Sequence, residues 1–330
     1  MTRTGGIRGS RRRLVRGLAS IRSHRPGAAA PSPLPWAVVR TYAITLDDGR
    51  QLDCIEAGAT NGSPLLVHNG TPGSRLVAPW MDDACTAQEV RLLSFSRAGY
   101  GASTPKPGRT VGDVAADTAA VLHAGGVERF AVWGHSGGGP HSLACAALLA
   151  DRVTACVSSA GVAPYDADGL DWTAGMGEAN IEEFGILQQG RERALAALDA
   201  ERESILGAAP AEMADAFDSL ISDIDRAALD EPYSAYLRAC MAEGLRESAE
   251  GWADDDLAFV KPWGFDVAAI SGDVRIWQGT ADLMVPPAHG RWLAAALPHA
   301  HFELRADHGH LSLMGPAGFA EILASLPRAT

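Results

Sequence analysis

Residues 131–140 read AVWGHSGGGP: an apolar run ends in four glycines packed around one serine, Ser136. Glycine weakens a strand, so a cluster of them at a strand end needs a reason. The stretch GHSGG fits the pattern G-x-S-x-G, which acquires meaning only where a strand turns sharply into a helix. Such a turn forces the serine into a strained backbone conformation and brings the residues two before and two after it close together. Gly134 and Gly138 carry no side chain to collide there. The turn would lift the Ser136 hydroxyl above the sheet edge, with His135 beside it inside the turn. The amides that follow would open a helix, where negative charge is favoured.

The rest of the chain supplies the context that this pattern requires. WAVVRTYAITL (36–46) reads as a β-branched strand, and Asp47-Asp48-Gly49 as a hairpin turn into RQLDCIEAG. PLLVHNG, VRLLSFSRAGYG, RFAVWG, RVTACVSS, DVRIWQG and HFELRAD are further short strands. Helical patterns such as VGDVAADTAAVLHAGG, HSLACAALLA, PAHGRWLAAALP and GPAGFAEILASLP separate several of them. Continuous apolar strands alternating with helices argue an α/β fold, a mostly parallel sheet flanked by helices on both faces. The opening hairpin adds an antiparallel part. Between Tyr165 and about Pro262 the alternation stops and the pattern is helical throughout. The expected organisation is therefore a core of residues 36–166 and 263–330, with residues 167–262 inserted as an α-helical cap.

In an open α/β sheet, ligands bind beyond the carboxyl ends of the strands. Besides the Ser136 turn, those ends carry Asn69-Gly70-Thr71-Pro72-Gly73, Arg97-Ala98-Gly99-Tyr100-Gly101, Gly279-Thr280-Ala281-Asp282 and Asp307-His308-Gly309-His310. A serine hydroxyl needs a base to become a nucleophile, and the base needs an orienting carboxylate. Asp282 and two histidines, His308 and His310, all follow strands and can converge on Ser136. In an extended segment, His308 and His310 point opposite ways.

Taken together, NGTPGSR, SRAGYGAS, GHSGGGP, GTADLMVP and DHGHLSL, in that order, resemble the α/β-hydrolase family from about residue 37 to the end. The resemblance implies an α/β-hydrolase fold and a triad of nucleophile Ser136, carboxylate Asp282 and base His310, since that family places its base directly after a glycine. It also implies an oxyanion hole built from the backbone N–H groups of Gly137 and Thr71; a shift of one residue in the loop would substitute Gly70. NGTPG resembles the family's HGxPG loop, with Asn69 where histidine is usual, a departure that bears on how the loop is pinned. Arg97 and Tyr100 resemble residues that hold the neighbouring loop, and His141 is expected to be structural. No metal and no organic cofactor is implied.

The implied reaction is hydrolysis of a carboxylic ester, or a related acyl bond, of a small-molecule substrate. The resemblance leaves open a proline-iminopeptidase-like aminopeptidase, a cofactor-free perhydrolase or haloperoxidase, and a hydrolase-fold binding protein with little turnover. Serine at position 136 argues against epoxide hydrolases and haloalkane dehalogenases, which place aspartate there. The expected cap carries 22 acidic and 7 basic side chains. Such an excess suits either an amine-bearing substrate or merely a solvated helical surface. Trp172, Met176, Phe184 and Trp252 could line a pocket or join the cap to the core.

Charge narrows the partners. Residues 1–46 hold nine arginines and no acid, leaving 19 basic and 40 acidic side chains in residues 47–330. A globular part that acidic repels nucleic acid and anionic membranes. No run of eighteen apolar residues marks a membrane span. Residues 1–35 are too rich in Arg, Pro, Gly and Ser to bury a core and are expected to be a disordered extension. RRRLV has the arginines of a twin-arginine signal, but the GLASIRSHRPG that follows is too short and polar for one. Five scattered cysteines, never in a CxxC pair, suggest buried free thiols in a reducing cytoplasm.

Overall fold

The computed structural model of the chain describes residues 40–327; the expected extension 1–35 and the first residues of the expected opening strand lie outside them. Strands β1 (Arg40–Thr45) and β2 (Gln51–Gly58) form the antiparallel hairpin, Arg40 standing opposite Glu56 and Thr45 opposite Gln51. The remaining strands are β3 (Ser63–His68), β4 (Val90–Phe95), β5 (Phe130–His135), β6 (Val153–Ser159), β7 (Val274–Gly279) and β8 (His301–Arg305). All eight join one sheet in the order β1-β2-β4-β3-β5-β6-β7-β8. Only β2 runs against its neighbours; from β4 to β8 every pairing is parallel.

The continuous apolar runs are explained by burial on both faces. Side chains alternate across a strand, and here they sort into two cores. Leu66, Leu93 and Val132 enter one with α2 (Val114–Ala124), α3 (Gly138–Leu148) and α10 (Pro287–Ala296). Leu65, Leu92 and Trp133 enter the other with α1 (Pro79–Ala87) and α11 (Pro316–Ser325). All five cysteines are buried free thiols.

Between β6 and β7 the chain leaves the sheet for a helical segment: α4 (Glu178–Leu187), α5 (Arg191–Gly207), α6 (Met213–Ala216), α7 (Asp223–Ala228), α8 (Glu231–Gly244) and α9 (Glu250–Phe259), with short 3-10 turns. Side chains of this segment extend both cores. Trp172, Met176, Phe184 and Phe259 join the first, Tyr233 and Tyr236 the second. Trp252 packs in a third cluster with Tyr100 and Leu198. These aromatic residues therefore bind the segment to the sheet. No helix among the described residues is long and apolar enough to cross a membrane.

The strand order reverses at β3, which lies between β4 and β5. Successive connections diverge there, and in sheets of this kind ligands bind at such a reversal, beyond the carboxyl ends of the strands, here those of β3 and β5. Those ends lead into Asn69-Gly70-Thr71 and Ser136-Gly137, two of the loops singled out above.

Candidate active site

Ser136 sits between β5 and α3 with φ +54°, a left-handed conformation that non-glycine residues rarely adopt. It persists because its surroundings hold it on both sides. The Ser136 N–H donates to the Ser159 carbonyl (2.9 Å), and its own carbonyl accepts from Gly139 N–H (2.8 Å). Neighbouring backbone comes too close for side chains at the flanking glycines. A Cβ at position 134 would fall on the Gly138 carbonyl oxygen, and one at 138 on the His68 carbonyl oxygen. Ser136 is half-buried while both neighbours are buried, so the turn presents this one residue.

Asp282 and His310 are in direct contact. His310 Nδ1–H donates to the Asp282 carboxylate, 2.9 Å from Oδ2 and 3.0 Å from Oδ1. Asp282 is itself fixed by the Met284 N–H (2.9 Å), the Val285 N–H (2.8 Å) and Gln278 Nε2 (3.0 Å). Burial opposes the charged form of His310, but the Asp282 carboxylate first, and Asp225 after it, outweigh burial and raise its pKa above the ordinary value. Among the described residues no hydrogen bond joins Asp282 to His308, which is half-buried and offers its backbone carbonyl to Ala281 N–H (3.0 Å).

The serine and the histidine meet less closely. Among the described residues no hydrogen bond links Ser136 Oγ to His310. Their nearness is marked by the preceding residue, whose ring lies 4.9 Å from that of His310, centroid to centroid. This neighbour, His135, is buried, engages Ser159 Oγ through Nδ1 (3.2 Å), and is held neutral by burial and by His310. It packs against the His310 ring, and among the described residues no carboxylate is bonded to it.

Thr71 and Gly137 lie side by side. A Cβ on Gly137 would overlap the Thr71 side chain and stand 3.1 Å from Phe259 Cζ. Neither backbone N–H is donated to a protein acceptor among the described residues. Gly70 also borders the serine, its Cβ position 3.4 Å from Ser136 Cβ. The departure at Asn69 has a structural counterpart: its Nδ2 donates to the carbonyls of Ser74 (2.7 Å) and Leu76 (3.0 Å), and its Oδ1 accepts from Tyr236 OH (3.1 Å). His141 ties α3 to the turn through Nδ1–H donated to the Gly137 carbonyl (2.7 Å); burial pushes its pKa down to about 3.

Two carboxylates not singled out in the sequence complete the arrangement, both from the helical segment. Asp255 on α9 is fully buried and receives Arg97 (2.5 Å), Arg109 (2.6 Å), Tyr100 OH (3.0 Å) and Thr71 Oγ1 (2.8 Å). Burial alone would raise its pKa, but the guanidinium groups of Arg109 and Arg97 hold it well below the usual carboxylate range. Arg97 also donates to the carbonyls of Asn69 (2.5 Å) and Gly70 (3.0 Å), clamping the loop that carries Thr71. Asp225 on α7, also fully buried, accepts from the backbone N–H groups of His310 (2.8 Å) and Ser312 (2.9 Å). Neither aspartate stands in a motif. No local signal in the sequence marks them: α9 carries three consecutive aspartates, and in the structure Gly251–Phe259 are all buried.

These features, a serine on a strained strand-to-helix turn and an Asp-His pair following β7 and β8, are those of one fold family. A model of the alpha/beta hydrolase fold matches residues 63–317, well over half the chain, and the protein belongs to that family. Among solved structures the fold is similar to the bromoperoxidase from Bacillus anthracis (TM-score 0.64, 20% identity, covering 86% of this chain and 98% of that one). It is also similar to the enol-lactonase from Burkholderia xenovorans (TM-score 0.62, 20% identity, 86% and 98% covered) and to a thermophilic esterase from Thermogutta terrifontis (TM-score 0.60, 21% identity, 86% and 97% covered).

Proposed function

We propose that the protein is a serine hydrolase that cleaves a carboxylic ester, or a related acyl bond, of a small molecule. The observation that carries this reading is the buried Asp282–His310 hydrogen bond next to a serine held at φ +54°. In this reading, Ser136 Oγ attacks the substrate carbonyl as its proton passes to His310 Nε2. Asp282 keeps the proton of the imidazole on Nδ1, leaving Nε2 free to accept, and stabilises the imidazolium that forms. The negative oxygen of the tetrahedral intermediate is received by the N–H groups of Gly137 and Thr71, each worth about 3 kcal/mol to the transition state. His310 then protonates the leaving alcohol, and water repeats the cycle on the acyl-enzyme.

The segment 167–262 acts in this reading as a cap over the strand ends. The names of its structural neighbours, esterase and enol-lactonase, agree with acyl transfer to water, at identities that bear on the fold alone. Stoichiometric labelling of Ser136 by a fluorophosphonate probe is expected, together with turnover of p-nitrophenyl esters. Ser136→Ala should lose both and lower kcat by about a thousandfold or more while remaining folded. Full turnover in that variant would remove Ser136 as the nucleophile. Labelling without ester turnover, but with release of naphthylamine from proline β-naphthylamide, would instead favour an aminopeptidase.

A further inference from the structure

Asp225 is a buried carboxylate with no cationic side chain bonded to it among the described residues. It lies at the third position of α7, where Ser222 caps the helix by accepting from Asp225 N–H (3.4 Å) and its hydroxyl donates to Asp225 Oδ2 (3.3 Å). The other acceptor capacity of the carboxylate is spent outside its own helix. Oδ2 takes the N–H of His310 and Oδ1 the N–H of Ser312, so one side chain of the helical segment straddles the loop that carries the base. The same loop is gripped again from α8, where Tyr233 OH donates to the Leu311 carbonyl (2.8 Å). The approach is so close that a Cβ on Gly309 would coincide with the Asp225 carboxylate. The glycine preceding His310 is thus required by a residue 84 positions earlier in the chain.

We propose that Asp225 is a positioning residue for His310: it sets the orientation of the imidazole through the loop backbone, so that the base is competent only while the helical segment is seated, and it places a negative charge near the imidazolium that forms when the base takes up its proton. The proposal rests on the assignment of His310 as the base. Asp282 follows β7, His135 ends β5, and Asp225 comes from α7 with the neutral Tyr233 hydroxyl beyond it on α8. His135 is held neutral, which leaves two carboxylates to favour the imidazolium. Asp282 does so by direct contact. Asp225 does so through its charge, while its two hydrogen bonds fix the loop. If the helical segment lifted, the Asp282 contact could persist but the Asp225 contacts could not.

The test compares Asp225→Asn with Tyr233→Phe in the full chain, each first shown to be folded by circular dichroism. Asn keeps the shape of the side chain but removes the charge and presents an NH2 to a backbone N–H. Its kcat on p-nitrophenyl esters is expected to fall about tenfold. The midpoint of the acid limb of kcat/KM should move to lower pH by about half a unit or more, because the imidazolium has lost one favourable charge. Tyr233→Phe loosens the same loop without changing charge, so its rate should fall and its midpoint stay. The His310 resonance, followed by NMR against pH, should shift in parallel in Asp225→Asn and needs no turnover to be read. A merely structural role would lower the rate at every pH and leave both midpoints in place, which would overturn the proposal. If Asp225→Asn does not fold, Asp225→Ser, which also removes the charge, serves with the NMR titration. An unaltered His310 midpoint in that variant, together with an unaltered rate in Tyr233→Phe, would equally overturn it. Wild-type protein that the fluorophosphonate probe fails to label would reject the reading of the site itself, a result distinct from either of these.

Discussion

The hydroxyl of Thr71 donates to the carboxylate of Asp255 at 2.8 Å, across 184 positions of sequence. Through it, the proposed oxyanion loop is bonded to the last long helix of the inserted segment. Asp255 is charged and fully buried, and what makes that tolerable is the pair of guanidinium groups around it. Substituting Asp255→Asn strands two buried arginines against one neutral amide. Breaking a buried pair in this way costs about 3–5 kcal/mol, which chemical denaturation should read directly. Thr71→Val is a milder probe, because it removes the hydroxyl and keeps the backbone N–H. It should lower kcat by up to about a hundredfold with little change in the melting temperature, through displacement of the N–H by a fraction of an ångström.

Gly138 has no space for a methyl group, and what it meets is backbone. A Cβ there lands on the His68 carbonyl, an atom of β3 that cannot swing aside as a side chain could. Gly138→Ala should therefore cost about 3 kcal/mol or more in thermal or denaturant unfolding. A variant as stable as wild type would show that the turn can relax in a way its packing does not suggest.

In the proposed mechanism the acid limb of the pH profile follows from His310. A base works only when unprotonated, and the nearby carboxylates raise the pKa of this one. The rate should increase with pH, with its midpoint displaced above the ordinary histidine value of about 6.5. A kcat/KM profile with a midpoint well below that value would contradict the carboxylate surroundings described here.

A second pH effect lies in the inserted segment. Asp256 is buried, its Oδ2 has no hydrogen-bond donor, and burial with Glu183 beside it raises its pKa well above the ordinary value. The folded state thus holds a proton that the unfolded chain releases at lower pH. Stability from this group is complete at acid pH and falls as pH rises through the native pKa. Asp256→Asn removes the titration. Its melting temperature should exceed that of wild type at pH 9, and the gap should close toward pH ~4. A gap independent of pH would show that the carboxyl does not titrate across this range.

What the sequence alone determined is the part written in local rules. Alternating side chains and short apolar runs specify strands buried on two faces, and the sheet obeys them: Leu65 and Leu66 enter opposite cores because adjacent residues point apart. The glycines at 134 and 138 announce a tight turn, since only absent side chains permit backbone to approach so closely. The pairing of His310 with Asp282 is a different matter. Local direction says only that His308 and His310 diverge, and the choice between them depends on where β7 and β8 end relative to one another. Asp225 and Asp255 were beyond the reach of the sequence. In a helix read alone, an aspartate belongs to the solvated face, and three in succession suggest nothing else. Only the folded chain brings two arginines to one and two backbone N–H groups to the other. A buried charge is stable only with its partners in place, and those partners come from residues far apart in the chain.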